Sequence, residues 1–172
     1  EDEDTAFMIA REVKKICIEL DIPYIFKASY KKANRTRLDS FTGIGDQKAL
    51  EIIQRIGKDL DLPVITDIHE ARDADMASSY VDAIQIPAFL SRQTDLLVAA
   101  AKTGKVVNIK KAQFSAPSAM EFPIQKVKQS GNKNVWVTER GTSFGYQNLI
   151  VDFTGFPILS SFDVPIILDC TH

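Results

Sequence analysis

The sequence predicts a parallel α/β fold in one domain spanning residues 1–172, and three observations lead there. Six short apolar runs recur along the chain, each separated from the next by a helical or mixed stretch. The runs are apolar almost throughout rather than alternating, as expected for strands covered on both faces. Each run also ends in polar or ionisable residues, so one end of the strand set collects the chemistry. This repetition fits a doubly wound open sheet and a (β/α)8 barrel alike. A barrel needs about 250 residues, at roughly thirty per unit, so 172 residues fall short of eight units. The chain also opens on a helix with no strand before it. Pattern alone leaves two readings open, a complete six-stranded sheet or a barrel cut at both ends.

The elements follow in order. From Asp4 to Leu20, residues Ala6, Ile9, Ala10, Val13, Ile16, Cys17 and Leu20 share one stripe at helical spacing. Pro23 introduces the first run, Tyr24-Ile25-Phe26, which ends at Lys27. Asp46 is placed to cap a second helix whose Leu50, Ile53, Ile56, Gly57 and Leu60 face inward. Val64-Ile65-Thr66 ends at Asp67, and Ala83-Ile84-Gln85-Ile86 follows. A helix around Leu96 to Lys102 stops at Gly104. Val106-Val107-Asn108-Ile109 leads into Lys110 and Lys111, and Val135-Trp136-Val137 into Glu139 and Arg140. Pro165-Ile166-Ile167-Leu168 leads into Asp169 and His172. No internal repeat, low-complexity stretch or linker composition divides the chain.

Composition narrows the function classes. The 21 basic and 23 acidic side chains leave a net charge of -2, which argues against a basic nucleic-acid arm. A hydrophobic share of 45% argues against a disordered chain. No apolar run approaches the roughly 18 residues of a membrane span, and no signal peptide is recognisable. Cys17 and Cys170 read as reduced thiols, so the expected location is the cytoplasm. Thr42-Gly43-Ile44-Gly45 lacks the rest of either nucleotide fingerprint, so no nucleotide cofactor is expected.

The strand ends hold the candidate site. Lys27 and Ser29 follow the first run, Asp67 and His69 the second, Gln85 the third, Lys110, Lys111 and Gln113 the fourth, Glu139 and Arg140 the fifth, and Asp169 and His172 the sixth. Polar residues must appear wherever strands emerge into water, so any one of them has a plain explanation. Six consecutive strand ends outweigh it. Cations outnumber acids at this rim in an acidic chain, which predicts an anionic ligand, and arginine favours bidentate phosphate or carboxylate recognition. Lysine pairs such as Lys31-Lys32 and Lys110-Lys111 usually mark a solvated face. Lys27 and Lys110 extend apolar strands and need partners if buried.

Six ordered segments carry a resemblance. They are Ile25 to Arg35 (with Lys31-Lys32-Ala33-Asn34-Arg35), Ile65-Thr66-Asp67-Ile68-His69-Glu70, Ile84 to Asp95, Asn108 to Phe114, Glu139 to Tyr146, and Asp169-Cys170-Thr171-His172. Together they resemble the 3-deoxy-D-manno-octulosonate 8-phosphate synthase family. The Lys-Ala-Asn-Arg stretch discriminates, because the sister heptulosonate synthases look like Lys-Pro-Arg-Thr there. The resemblance implies a (β/α)8 TIM barrel, of which the chain looks like strands two to seven. It also implies a transferase that condenses phosphoenolpyruvate with D-arabinose 5-phosphate and water, releasing phosphate, for lipopolysaccharide biosynthesis.

Residue by residue, the resemblance assigns Lys27, Ser29, Lys32, Lys110 and Arg140 to phosphoenolpyruvate, and Gln85 and the turn Pro87-Ala88-Phe89 to the wall of the site, with Gln113 a further substrate-binding residue. Asn34, Arg35 and Thr36 match the aldose phosphate site, where the family usually has Ser in place of Thr36. Arg92 matches an arginine that reaches the aldose phosphate of a neighbouring subunit, which implies a homotetramer. Lys27, Asp67, His69, Lys110 and Arg140 are the expected catalytic set. One divalent metal ion is expected if the chain follows the metal-dependent branch, which Thr138-Glu139-Arg140-Gly141-Thr142 resembles more than the Cys-Asp-Arg-Gly branch. His172 is its only ligand position within the sequence. The other readings are a heptulosonate phosphate synthase using erythrose 4-phosphate, a Schiff-base aldolase on Lys27 or Lys110, and a truncated barrel that binds sugar phosphates without turnover. An isolated piece of a barrel would expose two unpaired strand edges and tend to aggregate.

Overall fold

The structure, a computed structural model, describes residues 2–170. Helix α1 covers Glu3–Glu19 and is capped by the Asp2 carboxylate, which accepts from the Thr5 N–H at 2.8 Å. Strand β1 (Phe26–Lys27) follows, then α2 (Asp46–Leu60), β2 (Val64–Asp67), α3 (Asp73–Ser78) and β3 (Ala83–Ile86). A 3-10 turn at Ala88–Leu90 precedes α4 (Thr94–Lys102) and β4 (Val106–Lys110). A second at Pro117–Met120 precedes α5 (Glu121–Gln129) and β5 (Val135–Glu139). A hairpin of β6 (Thr142–Phe144) and β7 (Asn148–Ile150) leads to α6 (Gly155–Ser160) and β8 (Ile166–Leu168).

Strand order decides between the two architectures that the sequence leaves open. The six-stranded sheet runs β1-β2-β3-β4-β5-β8, every pair is parallel, and the order never reverses. A doubly wound sheet needs a point where the order reverses, so that helices cover both faces. Right-handed crossovers that always step the same way put every helix on one face. The sheet is therefore singly wound and curled, as successive units of a (β/α)8 barrel are.

The core lies between the sheet's outer face and the helices. Phe26, Val64, Ile68, Ile84, Ile86, Val107, Ile109, Val135 and Val137 pack there against Leu50, Ile53, Ile56, Leu97 and Ile124. The opposite face is mixed rather than wholly apolar: Gln85, Asn108 and Thr138 share it with Ile65, Ala83 and Trp136. Helix α1 also departs from expectation. Of its predicted stripe only Ala10 is buried, whereas Ile9, Ile16 and Leu20 are exposed, because α1 packs mainly along α2 at the margin of the sheet. Asp46 is not the cap of α2; Gly45 is, at a φ of 102°, and Asp46 sits in the first turn where the helix dipole favours a carboxylate. No described helix is long and apolar enough to cross a membrane.

A repeat emerges at the helix-to-strand corners. Asp21-Ile22-Pro23, Asp61-Leu62-Pro63 and Asp163-Val164-Pro165 each end a helix and open a strand, and the three aspartates lie at φ values of 54°, 47° and 53°. The left-handed residue lets the chain double back over its own last turn. The Ile22 and Leu62 N–H groups accordingly bond Cys17 and Gly57 carbonyls at 2.8 and 2.9 Å. The proline has no N–H to offer, but its carbonyl receives the neighbouring strand: Phe26 N–H bonds Pro63 O and Val137 N–H bonds Pro165 O.

Gly57 shows how tightly this corner closes. A Cβ there would meet Val64 Cγ1 at 2.8 Å and the Leu62 carbonyl at 3.0 Å. Alanine would gain about 1 kcal/mol of helix propensity, against an overpacking cost of about 1–3 kcal/mol in a buried, β-branched contact. We expect Gly57→Ala to lower the thermal unfolding midpoint; a higher midpoint would show that the corner can relax.

Candidate active site

In a parallel sheet, paired residues point to the same face and successive residues alternate. Lys27 is level with Ile65, Asp67 with Gln85, Gln85 with Asn108, and Lys110 with Thr138. Continued past the strand ends, this alternation puts Ser29, His69, Arg140 and Asp169 on the same inner face. It lies opposite the helices. The candidate side chains thus share one face because each sits an even number of residues from a paired position.

Three groups form there. In the first, Lys27 Nζ donates to Ser29 Oγ at 2.7 Å and to Asp67 Oδ1 at 2.9 Å, and Ser29 Oγ donates to Asp67 Oδ1 at 2.5 Å. His69 Nε2 lies 3.0 Å from Asp67 Oδ2, so one carboxylate joins the ends of β1 and β2. In the second, Lys110 Nζ and Asp169 Oδ2 lie 2.6 Å apart, joining β4 to β8. In the third, the Arg140 guanidinium donates from Nη1 to Gln113 Oε1 at 3.1 Å. Below them, Thr138 Oγ1 donates to Asn108 Oδ1 at 2.8 Å with both residues buried.

Burial by itself would raise the Asp67 carboxyl. The hydrogen bond from His69, the charge of Lys27 and the hydrogen bonds from Ser29 and Lys27 together outweigh it and hold Asp67 well below the usual carboxylate range. Behind this group, burial followed by the charge of Asp73 pushes the Tyr30 phenol well above its ordinary value. The Tyr30 and His69 rings lie 6.3 Å apart.

The cations differ in how they are neutralised. Lys27 and Lys110 each have an aspartate within ion-pair distance. Arg140 is buried to 6% exposure, has no carboxylate partner among the described residues, and leaves a buried Nε without a hydrogen bond. Native proteins rarely leave a buried donor unpaired, and a guanidinium with free donors is shaped for a phosphate or carboxylate. His69 Nδ1 is likewise buried without a partner. Because Nε2 faces Asp67, Nδ1 is the ring nitrogen left to hold or take a proton.

Other expected residues lie farther out. Lys32, Asn34, Arg35 and Thr36 occupy an exposed loop, where Lys32 N–H bonds the Thr42 carbonyl at 2.8 Å and Arg35 Nη1 folds back onto the Lys32 carbonyl at 3.0 Å. Beside β1, a cavity of 380 Å³ is lined by Lys27, Ser29, Lys31, Lys32 and Thr42 together with residues of α1 and α2. After β3, Ala88 is buried, Pro87 half-buried, and Phe89 and Arg92 are exposed. His172 lies outside the described residues. Among those described, no three His, Cys, Asp or Glu side chains converge to hold a metal ion, and the Asp169 carboxylate is engaged with Lys110. These residues do not themselves compose a metal site.

Two placements escaped sequence reasoning. Glu139 is not at the rim but on the outer face, and the fully buried Lys111 is its partner at 3.3 Å. Their offset of one from Lys110 and Arg140 was the available signal, since a strand reverses face at every residue.

The winding and the strand-end cations define an α/β-barrel protein whose candidate site lies at the carboxyl ends of the strands. Residues 1–172 match the DAHP synthetase I family along their whole length, and the chain belongs to that family. It is 53% identical over 172 residues to the 2-dehydro-3-deoxyphosphooctonate aldolase of Koribacter versatilis, covering all of this chain and 62% of that protein. The proteins of that name from Bartonella tribocorum and Synechococcus are 54% and 47% identical over all of this chain and 62% and 61% of their own lengths. The chain therefore spans about three fifths of the length of the curated relatives it matches.

A carboxyl held low in the folded state contributes stability above its unfolded value, and that contribution is lost as pH falls toward its folded value. Asp67→Asn is expected to cost about 2 kcal/mol at pH 7. The gap from the parent should narrow below pH of about 4. Urea unfolding at several pH values measures this; a gap independent of pH would assign the loss to packing instead.

Proposed function

We propose that the protein condenses phosphoenolpyruvate with D-arabinose 5-phosphate and water, giving 3-deoxy-D-manno-octulosonate 8-phosphate and inorganic phosphate for lipopolysaccharide biosynthesis. Residues 1–172 act in it as the barrel's catalytic domain. The observation that carries the reading is Arg140, a buried cation with free donors beside two lysines that already have carboxylates. Relatives about half identical over the full chain bear the name 2-dehydro-3-deoxyphosphooctonate aldolase, and the Lys-Ala-Asn-Arg stretch stands where the sister synthases differ.

Arg140, Lys110 and Lys27 bind the phosphate and carboxylate of phosphoenolpyruvate, with Ser29 and Lys32 at its edge and Gln85, Gln113 and Pro87-Ala88-Phe89 as walls. Asn34, Arg35 and Thr36 take the aldose phosphate from the loop after β1. Carbon 3 of the enol attacks the aldehyde carbon, the new hydroxyl takes a proton, and water adds at carbon 2 before phosphate leaves. Fixed cations stabilise charge moving onto the phosphate and carboxylate oxygens, and holding both anions together supplies orientation. Asp67 keeps Lys27 and His69 in place, and His69 Nδ1 is the ring nitrogen turned away from that carboxylate and open to a proton. Lys27 and Lys110 beside aspartates suit anion binding better than Schiff-base nucleophilicity. A divalent ion held in part by His172 would polarise the aldehyde or its water. The exposed Arg92 reaches a neighbouring subunit's aldose phosphate in a homotetramer. Two free cysteines fit the cytoplasm.

Phosphate release from phosphoenolpyruvate by the full-length protein, measured with each aldose phosphate, tests the reading. Turnover is expected with arabinose 5-phosphate. Turnover only with erythrose 4-phosphate would identify a heptulosonate synthase, and binding without release a non-catalytic barrel. Arg140→Ala is expected to lower kcat/KM for phosphoenolpyruvate about 100-fold or more.

A further inference from the structure

Lys111 has no exposed surface, a rare state for a lysine, and it belongs to none of the groups that face the substrates. Its place one residue past Lys110 turns it to the outer side of the sheet. There Nζ lies 3.3 Å from Glu139 Oε1 and donates to Thr142 Oγ1 at 3.1 Å and to the carbonyls of Gly141, Ser115 and Ala112 at 3.2, 3.3 and 3.4 Å. Glu139 Oε1 accepts from the backbone N–H groups of Arg140 at 2.9 Å and Gly141 at 2.6 Å.

These bonds converge on two turns, one after β4 and one after β5. The turns are also joined directly: Lys111 N–H bonds the Thr138 carbonyl and Ser143 N–H bonds the Gln113 carbonyl, each at 2.8 Å. On the other side of the sheet, those turns present Gln113 and Arg140, whose side chains meet in the site. Stability alone does not call for charge here, because a well-packed apolar pair serves a core as well as a buried ion pair does. What the charges add is direction, since the ammonium and the carboxylate between them hold backbone groups on both sides of Arg140. Lys111 also neutralises the carboxylate next in sequence to Arg140, so that the guanidinium's field toward an anion is not drawn down.

We propose that Lys111 and Glu139 are positioning residues, a buried ion pair behind the sheet that fixes the turn bearing Arg140 for the anionic group of phosphoenolpyruvate. This rests on the assignment of Arg140 to that substrate.

Steady-state kinetics on the full-length protein test it with Lys111→Met, Glu139→Gln, the double variant and Arg140→Ala. Lys111→Met is expected to raise KM for phosphoenolpyruvate roughly ten- to a hundredfold, as small misplacements of a binding group do. KM for the aldose phosphate should change little. The double variant leaves no unpaired buried charge, so its thermal midpoint should recover while KM for phosphoenolpyruvate stays high. If Lys111→Met does not fold, the double variant decides by the same readout. A double variant with parental KM would overturn the proposal and leave the pair a structural contact. Arg140→Ala with parental KM would overturn the substrate assignment as well, whereas a large effect there beside none at Lys111 would remove the positioning role alone.

Discussion

Each strand of the large sheet hydrogen-bonds to the strand before it, always stepping in one direction, and this winding governs the rest of the molecule. It forces the helices onto one face, where their apolar stripes meet Val107, Ile109, Val135 and Val137. It leaves the other face to side chains alone. Gln85, Asn108 and Thr138 can occupy that face because a curled sheet turns it toward its own neighbours, where Asn108 and Thr138 satisfy each other. The strand ends then arrive side by side at one rim, and residues far apart in sequence, such as Lys27 and Asp67 or Lys110 and Asp169, come within a hydrogen bond.

Charge is distributed at that rim with some economy. Two aspartates each engage a lysine and tie adjacent or next-adjacent parts of the sheet together. Arg140 stands outside this pairing, held from behind by backbone rather than neutralised from in front. The result, among the described residues, is a rim in which the two lysines are already paired before a ligand arrives while the Arg140 guanidinium keeps donors to be satisfied. Preorganisation of this kind removes reorganisation from the moment of reaction.

Much of this was legible in the chain. The residues ending each apolar run, Lys27, Asp67, Lys110 and Arg140, fall where the runs said they would, because a buried strand must become polar on reaching solvent. The helix stripe of α2 was equally plain. Other features left weak traces. The β6–β7 hairpin is exposed along its length and has no hydrophobic period, so its turn, where Gly145 takes a φ of 66°, left no pattern to read. The Lys110-Lys111 pair looked like one solvated patch, although alternation sends its two members to opposite faces. The three Asp-Xaa-Pro corners are too short to register as a repeat, and their meaning depends on the left-handed aspartate, which no composition reveals. The α1 stripe misled because periodicity reports an apolar face and not what lies beneath it.

The one-directional winding also bears on how the chain is made. A strand that pairs with its immediate predecessor finds its partner already in place as it leaves the ribosome, so this part of the sheet can grow unit by unit. Nothing up to β5 has to wait for a distant segment, and closing short loops in turn is the fast route to a sheet that would otherwise assemble slowly. The Asp-Xaa-Pro corners suit that order of events. Each stops a helix by local bonds alone and delivers the next strand, pointing the right way, before the residues it will meet have been synthesised.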